Sequence, residues 1–340
     1  MSRNSGNGLK SFFLFIGVFL LVILLVVGGG WLALKKWLDG GNSLPIDPSV
    51  FHTETAEGNR EETLPSPEST ATAPEETAPV QSETAFRDKA VTESDLHTGD
   101  LILVSPVYEY VFPEKTGVVS LYGKRSVSYQ LSSSNISLAQ RVINALNAWM
   151  DAFTSQGGPD DVIVTGGYRS YEEQQEKFDA YVEKHGADQN ALARPGTSDH
   201  HTGLGVDLKV YADGIMYSLN EKEEFAWVSE NAWRFGFVER YPAGKSDVTG
   251  ISYTDSKYFR FVGTPHAEIM KKNGYTLEEY VMFLRDYPFD GTHYLFTAED
   301  GSVYEIYHVL YTGTPIMVPA EKEYSLSGDN IDGFFVTFKH

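Results

Sequence analysis

No part of this chain narrows its possible folds more than Ser11–Leu34, a stretch without a single charge and dense in Phe, Leu, Val and Ile. About 20 consecutive apolar residues suffice for one helix to cross a bilayer. The run ends at Trp31 and Lys35-Lys36-Trp37, residue types that suit a membrane interface. A secretory signal has a shorter apolar region and a small-residue cleavage site, and no Ala-x-Ala follows here. Residues 11–36 therefore read as an uncleaved transmembrane anchor behind a short tail, residues 1–10. Arg3 and Lys10 precede the span and Lys35 and Lys36 follow it, so the basic residues tie and do not orient it.

Residues 37–97 are of another kind, rich in Thr, Glu, Pro, Ser and Ala with few large apolar side chains. Such a segment buries too little surface to offset the entropy of ordering it, and it reads as a disordered linker. A flexible chain of that length spans roughly 40 Å at about 5–6 Å × √n. The chain has 340 residues and a net charge of −20. From Gly40 to Leu96 there are 12 acidic against 3 basic residues, a net of −9, so much of the charge lies in the linker. The balance argues against a nucleic-acid partner, because phosphate contacts need clustered Lys and Arg. With no cysteine, disulfides and thiolate metal sites are excluded.

Order is expected from about Gly99. Leu101–Val104 reads as a short strand. Ser137–Phe153 has apolar residues at helical spacing behind a capping serine. Asp161–Thr165 reads as a strand, and Ser170–His185 and Glu221–Phe235 as helices. Phe259–Val262 is a strand, Pro265–Lys272 a helix, and Thr276–Arg285 a helix opened by the capping box Thr276-Leu-Glu-Glu279. Beyond residue 290, Tyr294–Thr297, Val303–His308 and Gly333–Phe338 read as strands, with Glu299-Asp-Gly301 as a hairpin turn.

The chemistry concentrates in Arg194-Pro-Gly-Thr-Ser-Asp-His-His-Thr-Gly-Leu-Gly-Val-Asp-Leu208. His200 offers an imidazole nitrogen and Asp207 a carboxylate oxygen, and zinc accepts both; a catalytic zinc usually has three protein ligands. The glycines at 203 and 205 let the chain turn tightly. A polar loop between two elements is the competing reading. His201 reads as a rim residue, since neighbours in an extended run point opposite ways. Arg169 lies where a strand gives way to a helix.

Ser198-x-His-x-x-Gly-x-x-x-Asp207 resembles the zinc signature of the VanY-like D-Ala-D-Ala carboxypeptidases, relatives of the D-Ala-D-Ala dipeptidases. Gly167-Tyr-Arg-Ser-Tyr-Glu-Glu-Gln174, Trp233-Arg-Phe-Gly-Phe-Val-Glu-Arg-Tyr241, Gly244-Lys-Ser-Asp-Val-Thr-Gly-Ile251 and Phe259-Arg-Phe-Val-Gly263 resemble that family in its order. The resemblance spans roughly residues 98–288. It implies an α+β fold, a small antiparallel sheet with flanking helices, over residues 98–290; the strands beyond the resemblance read as a small C-terminal β appendage at 291–340. It implies a Zn²⁺ cofactor held by His200 and Asp207, with Arg169, Gln174 and Ser198 on the substrate side. The implied substrate is a peptidoglycan stem peptide ending in D-Ala-D-Ala, from which the terminal D-Ala is released. A guanidinium such as Arg169 can hold its carboxylate bidentately. That function requires the C-terminal part to lie outside the cell membrane and residues 1–10 in the cytoplasm.

The chain departs from the family's Glu-x-x-His, which supplies general base and third zinc ligand. Here Asp255 stands in place of the glutamate and Tyr258 in place of the histidine. Asp is shorter by a methylene, and a phenol with pKa about 10 is a poor substitute for imidazole. His266 is the candidate third ligand. A straight strand from Tyr258 would carry Gly263 roughly 16 Å away, so His266 needs the chain to fold back. A two-ligand site completed by water stays open, as does a relative that binds cell-wall peptide without cleaving it.

Overall fold

In the computed structural model, residues 84–252, 257–313 and 315–340 are described. The expected anchor at 11–36 and most of the expected linker lie outside them. Among the described residues no helix is long and apolar enough to cross a membrane. The strands are β1 (Phe86–Lys89), β2 (Val118–Ser120), β3 (Gln130–Leu131), β4 (Ser137–Ala139), β5 (Val162–Gly166), β6 (Gly205–Ala212), β7 (Ile215–Ser218) and β8 (Phe237–Glu239). They continue as β9 (Lys257–Phe261), β10 (Tyr294–Thr297), β11 (Val303–Leu310), β12 (Ile316–Pro319), β13 (Tyr324–Gly328) and β14 (Gly333–Lys339). The helices are α1 (Gln140–Ser155), α2 (Tyr171–His185), α3 (Ala226–Asn231), α4 (Ser246–Thr249), α5 (His266–Asn273) and α6 (Leu277–Arg285).

The main sheet runs β3-β5-β6-β9-β8, with β7 also on β6. The β3–β5 pair is parallel and the other pairs are antiparallel, so the sheet is mixed rather than wholly antiparallel. Side chains alternate across a strand, and β6 uses both faces. Val206, Leu208 and Val210 enter the main core, while Gly205, Asp207 and Lys209 face the other way. Helix α1 covers the core face with Val142, Ile143, Leu146, Trp149, Met150 and Phe153, a stripe of period 3.6. Trp149 stacks on Phe237 at 5.0 Å and meets Phe259 edge-on at 5.0 Å. Burying one such side chain is worth about 1.5–3 kcal/mol.

Several expectations change. Ser137 does not cap α1: Ser137–Ala139 pair with β2, and Ala139 is the first non-helical residue. The expected helix over 221–235 is broken into short 3-10 turns around α3. Leu101–Val104 is no strand. Its carbonyls at Ile102 and Val104, and that of Asp100 just before it, accept from Arg260 and Arg240, and its N–H groups reach Asp329 O and Ser327 Oγ. Side chains thus replace a ladder, and the segment joins two cores. Ile102 and Val104 pack in the main one, and Leu101 and Leu103 in a second.

That second core corrects the reading of 291–340 as an appendage. Strands β10-β11-β14-β13 form an antiparallel sheet, and its Ile306 and Phe335 pack with Val262, Ile269, Met270, Tyr280 and Leu284. The linker is also shorter than expected. Phe86–Lys89 pairs with β12, and Leu96 is buried among Tyr307, Val318, Phe334 and Val336. The three apolar residues Phe86, Val91 and Leu96 supply the burial that composition alone hides.

Candidate active site

The motif loop is a 3-10 turn, Asp199–Thr202, rather than an extended run. Ser198 precedes it, and its hydroxyl accepts from the His200 N–H at 3.4 Å. Gly203 ends it at φ 68°, left-handed backbone where a Cβ would also strike Val118. Two residues later β6 starts, so the turn holds His200 over the face of the sheet that carries Asp207.

Behind the turn lies a buried charge network. Asp199 accepts from Arg260 Nη1 at 2.6 Å through one oxygen and from Arg240 Nε through the other. Arg240 turns its remaining nitrogens to Glu278, at 2.7 and 2.9 Å, and to Val104 O at 3.0 Å. Asp199, Arg240 and Arg260 have fully buried side chains. Two guanidiniums face two carboxylates, so the charge balances. Burial alone would lower the Arg240 pKa, but Asp199 and Glu278 raise it well above its ordinary value.

His200 Nδ1 donates to Gly167 O at 2.5 Å. That bond assigns the tautomer, and Nε2 turns its lone pair towards Asp207 Oδ2, 3.3 Å away. Burial, then Arg169, lowers the His200 pKa and keeps the ring neutral. Two ligands each 2.0–2.2 Å from one tetrahedral zinc stand roughly 3.3–3.6 Å apart. The pair fits that spacing and that chemistry. Arg169 donates to Asp207 Oδ2 at 2.9 Å and to Gln174 Oε1 at 3.1 Å. Ser198, Arg169, His200 and Asp207 line one cleft of about 580 Å³.

Other expected residues are placed differently. Gln174 is fully buried behind Arg169, with Nε2 on Ala193 O at 2.7 Å, and does not line the cleft. It positions the guanidinium. His201 is no rim residue. It is buried, Nδ1 donating to Arg169 O at 2.8 Å and Nε2 accepting from Gly196 N at 3.0 Å. The 3-10 turn, unlike an extended run, turns both histidines inward.

His266 is away from the cleft. Its nitrogens meet Tyr280 OH at 2.8 Å and Thr337 Oγ1 at 3.2 Å, and burial pushes its pKa down to about 3. Strand β9 runs on through Phe261 before the chain turns, which carries His266 into the second core. Asp255 lies outside the described residues.

Tyr258 is the residue that joins the pair. It is the cross-strand partner of Asp207, and its ring centroid lies 4.6 Å from that of His200. On its other side it stacks on Tyr241 at 5.7 Å. Burial, then Asp199, raises the phenol well above its usual pKa of 10 and keeps it protonated. A Cβ at Gly205 would overlap the Tyr258 hydroxyl, so this glycine makes room for the ring. Sequence reasoning missed the Asp199–Arg240–Arg260 network because its members lie 41 and 61 positions apart. The signal available was that each lies within a family-like motif.

A family model of D-alanyl-D-alanine carboxypeptidases (VanY) matches residues 135–264. A D-alanyl-D-alanine carboxypeptidase of Enterococcus faecium is 31% identical over 255 residues, 74% of this chain and 78% of that protein. The chain belongs to the VanY D-alanyl-D-alanine carboxypeptidase family. This is a family of metallopeptidases. A further carboxypeptidase of that name, from Enterococcus faecalis, is 34% identical over 45% of this chain and 60% of its own length. The chain is also similar to the vancomycin-resistance D,D-dipeptidase VanXYg, crystallised with a phosphinate analogue of D-Ala-D-Ala. The TM-score is 0.67 at 31% identity, over 75% of this chain and all of that one. The VanY match begins just before β4 and ends after β9, so it contains His200, Asp207 and Tyr258.

Proposed function

We propose that this protein is a zinc D-alanyl-D-alanine carboxypeptidase that trims the terminal D-Ala of peptidoglycan stem peptides. In this reading residues 11–36 anchor it in the cell membrane and the folded part acts outside. The observation that carries it is the convergence of His200 Nε2 and Asp207 Oδ2 at 3.3 Å in a cleft walled by Arg169 and Ser198. His200 and Asp207 would hold zinc, which supplies Lewis-acid polarisation of the scissile carbonyl. The Gly167 carbonyl keeps Nε2 free for that role, and the Asp199 network keeps the turn in place. Arg169, held by Gln174, presents its guanidinium to the peptide's terminal carboxylate. Tyr258 contributes a protonated hydroxyl, a donor at the edge of the site rather than an imidazole ligand.

Peptide binding without cleavage is the second reading, and Tyr258 is the observation that favours it. Release of D-Ala from a pentapeptide ending in D-Ala-D-Ala, assayed with wild type and Tyr258→His at saturating zinc, separates the two. Release by wild type supports the carboxypeptidase. Release by Tyr258→His alone refutes it in favour of the binding reading. For the anchor, the full chain should fractionate with membranes; a mature N-terminus beyond Lys36 would refute it.

A further inference from the structure

Arg169 lies between two regular elements, after β5 ends at Gly166 and before α2 starts at Tyr171. Its backbone stands outside both the sheet ladder and the helix, and polar backbone groups inside a fold need partners. The motif turn supplies them. The Arg169 N–H donates to His200 O at 3.2 Å, and the Arg169 carbonyl accepts from His201 Nδ1 at 2.8 Å. Two consecutive histidines thus hold both polar backbone groups of one residue.

A buried histidine is ordinarily a packing residue, so its nitrogens have to decide. The His201 ring stacks on Tyr110 at 6.3 Å and lies 4.8 Å from Phe112. An apolar ring would make those contacts too. It would not make the pair of hydrogen bonds. Nε2 accepts from the Gly196 N–H at 3.0 Å, which leaves the proton on Nδ1 for Arg169 O. The Gly196 carbonyl in turn accepts from the Tyr110 N–H at 2.7 Å, and Ser198 follows Gly196 by two residues. His201 therefore ties the junction that carries Arg169 to the loop that carries Ser198.

The consequence is a registration. Asp207 and Gln174 hold the Arg169 guanidinium at its tip, while the turn that carries His200 holds its backbone. The cation and the His200–Asp207 pair are built as one unit. In a peptide, one residue separates the terminal carboxylate from the last peptide carbonyl, so the interval between cation and pair has to match that length. A 1 Å misplacement in such a geometry can cost about a hundredfold. We infer that His201 is a positioning residue that sets Arg169 against the His200–Asp207 pair, and with it the preference for a free C-terminal carboxylate. This rests on the reading of Arg169 given above and adds the residue that places it.

The test uses full-length protein and two peptides, N-acetyl-Ala-D-Ala-D-Ala and its C-terminal amide. Affinity is read before any D-Ala release, which is followed in the same samples. Wild type should bind the free acid roughly tenfold tighter or more, the scale of one charge-assisted hydrogen bond. His201→Phe keeps a ring and removes both hydrogen bonds. It should lower the preference to about threefold or less, the scale of a weak neutral hydrogen bond, and leave affinity for the amide unchanged. A general loss of fold would weaken both peptides together. His201→Gln regains a donor and an acceptor on one amide and should restore most of the preference. If His201→Phe does not fold, His201→Met, which adapts its shape to the gap and donates nothing, carries the same prediction. An undiminished preference in the Phe or Met variant overturns this inference alone, as does a Gln variant no better than Phe. Equal affinity of wild type for acid and amide overturns the reading of Arg169 and this inference with it.

Discussion

Replacing Asp199 with alanine tests whether the buried network, rather than the motif alone, builds this site. The substitution removes both carboxylate oxygens, and with them the contacts to Arg260 Nη1 at 2.6 Å and Arg240 Nε. Arg240 and Arg260 keep no exposed side-chain surface, so two guanidiniums are left with Glu278 as their one carboxylate. Breaking a buried pair this way costs about 3–5 kcal/mol, a large part of the roughly 5–15 kcal/mol that holds a typical fold. With a urea slope of about 3 kcal/mol per molar, the midpoint should fall by about 1–1.7 M, followed by Trp fluorescence. A loss below about 1 kcal/mol, the scale of a surface pair, would refute the reasoning. The control is Asp199→Leu with Arg260→Met, which leaves Arg240 and Glu278 as a balanced pair. It should recover at least half the loss, because an ion pair replaced by apolar groups is often neutral.

The remaining predictions are narrower. Gly205→Ala should cost about 1–3 kcal/mol through overpacking against the Tyr258 hydroxyl. Tyr258→Phe should return only part of it, because the ring carbon Cζ would still overlap the added Cβ, and an equal cost in both backgrounds would show that the two residues do not contact. His200→Ala and Asp207→Ala should each lower bound zinc by metal analysis, while His266→Ala should leave zinc unchanged, since its nitrogens face Tyr280 and Thr337. His293 meets two acceptors, Glu305 at 2.5 Å and Phe289 O at 2.9 Å, which demand the charged imidazole. Burial opposes that charge, but Glu305 and Phe289 O raise its pKa above the ordinary 6.5, so its contribution is complete below 6.5 and lost as pH rises through the raised value. Burial would raise the Glu305 pKa, but His293 brings it below 4.5, so its contribution is present above 4.5 and lost as pH falls through the lowered value. Stability from this pair should therefore peak between the two, and Glu305→Gln should flatten the profile in pH-dependent melting; an unchanged profile would count against the pair.

Local pattern was enough for much of this protein. Period 3.6 in α1, the capping box of α6, and the hairpin after β10 are set by residues a few positions apart, and all were legible. So was the pairing of His200 with Asp207, because one short turn separates them. The rest depended on distant partners. Leu101–Val104 has a strand's composition, yet arginines 136 and 158 residues away take its carbonyls. Gly205 looks like any turn glycine until β9 brings Tyr258 against it. His266 looked like a spare ligand, and only the course of the chain after β9 shows it packed in the other core. Spacing along a sequence encodes which groups share a turn or a strand face. Which strand lies beside which, and therefore which third residue joins a pair of ligands, is decided by burial of two hydrophobic cores that no local window contains.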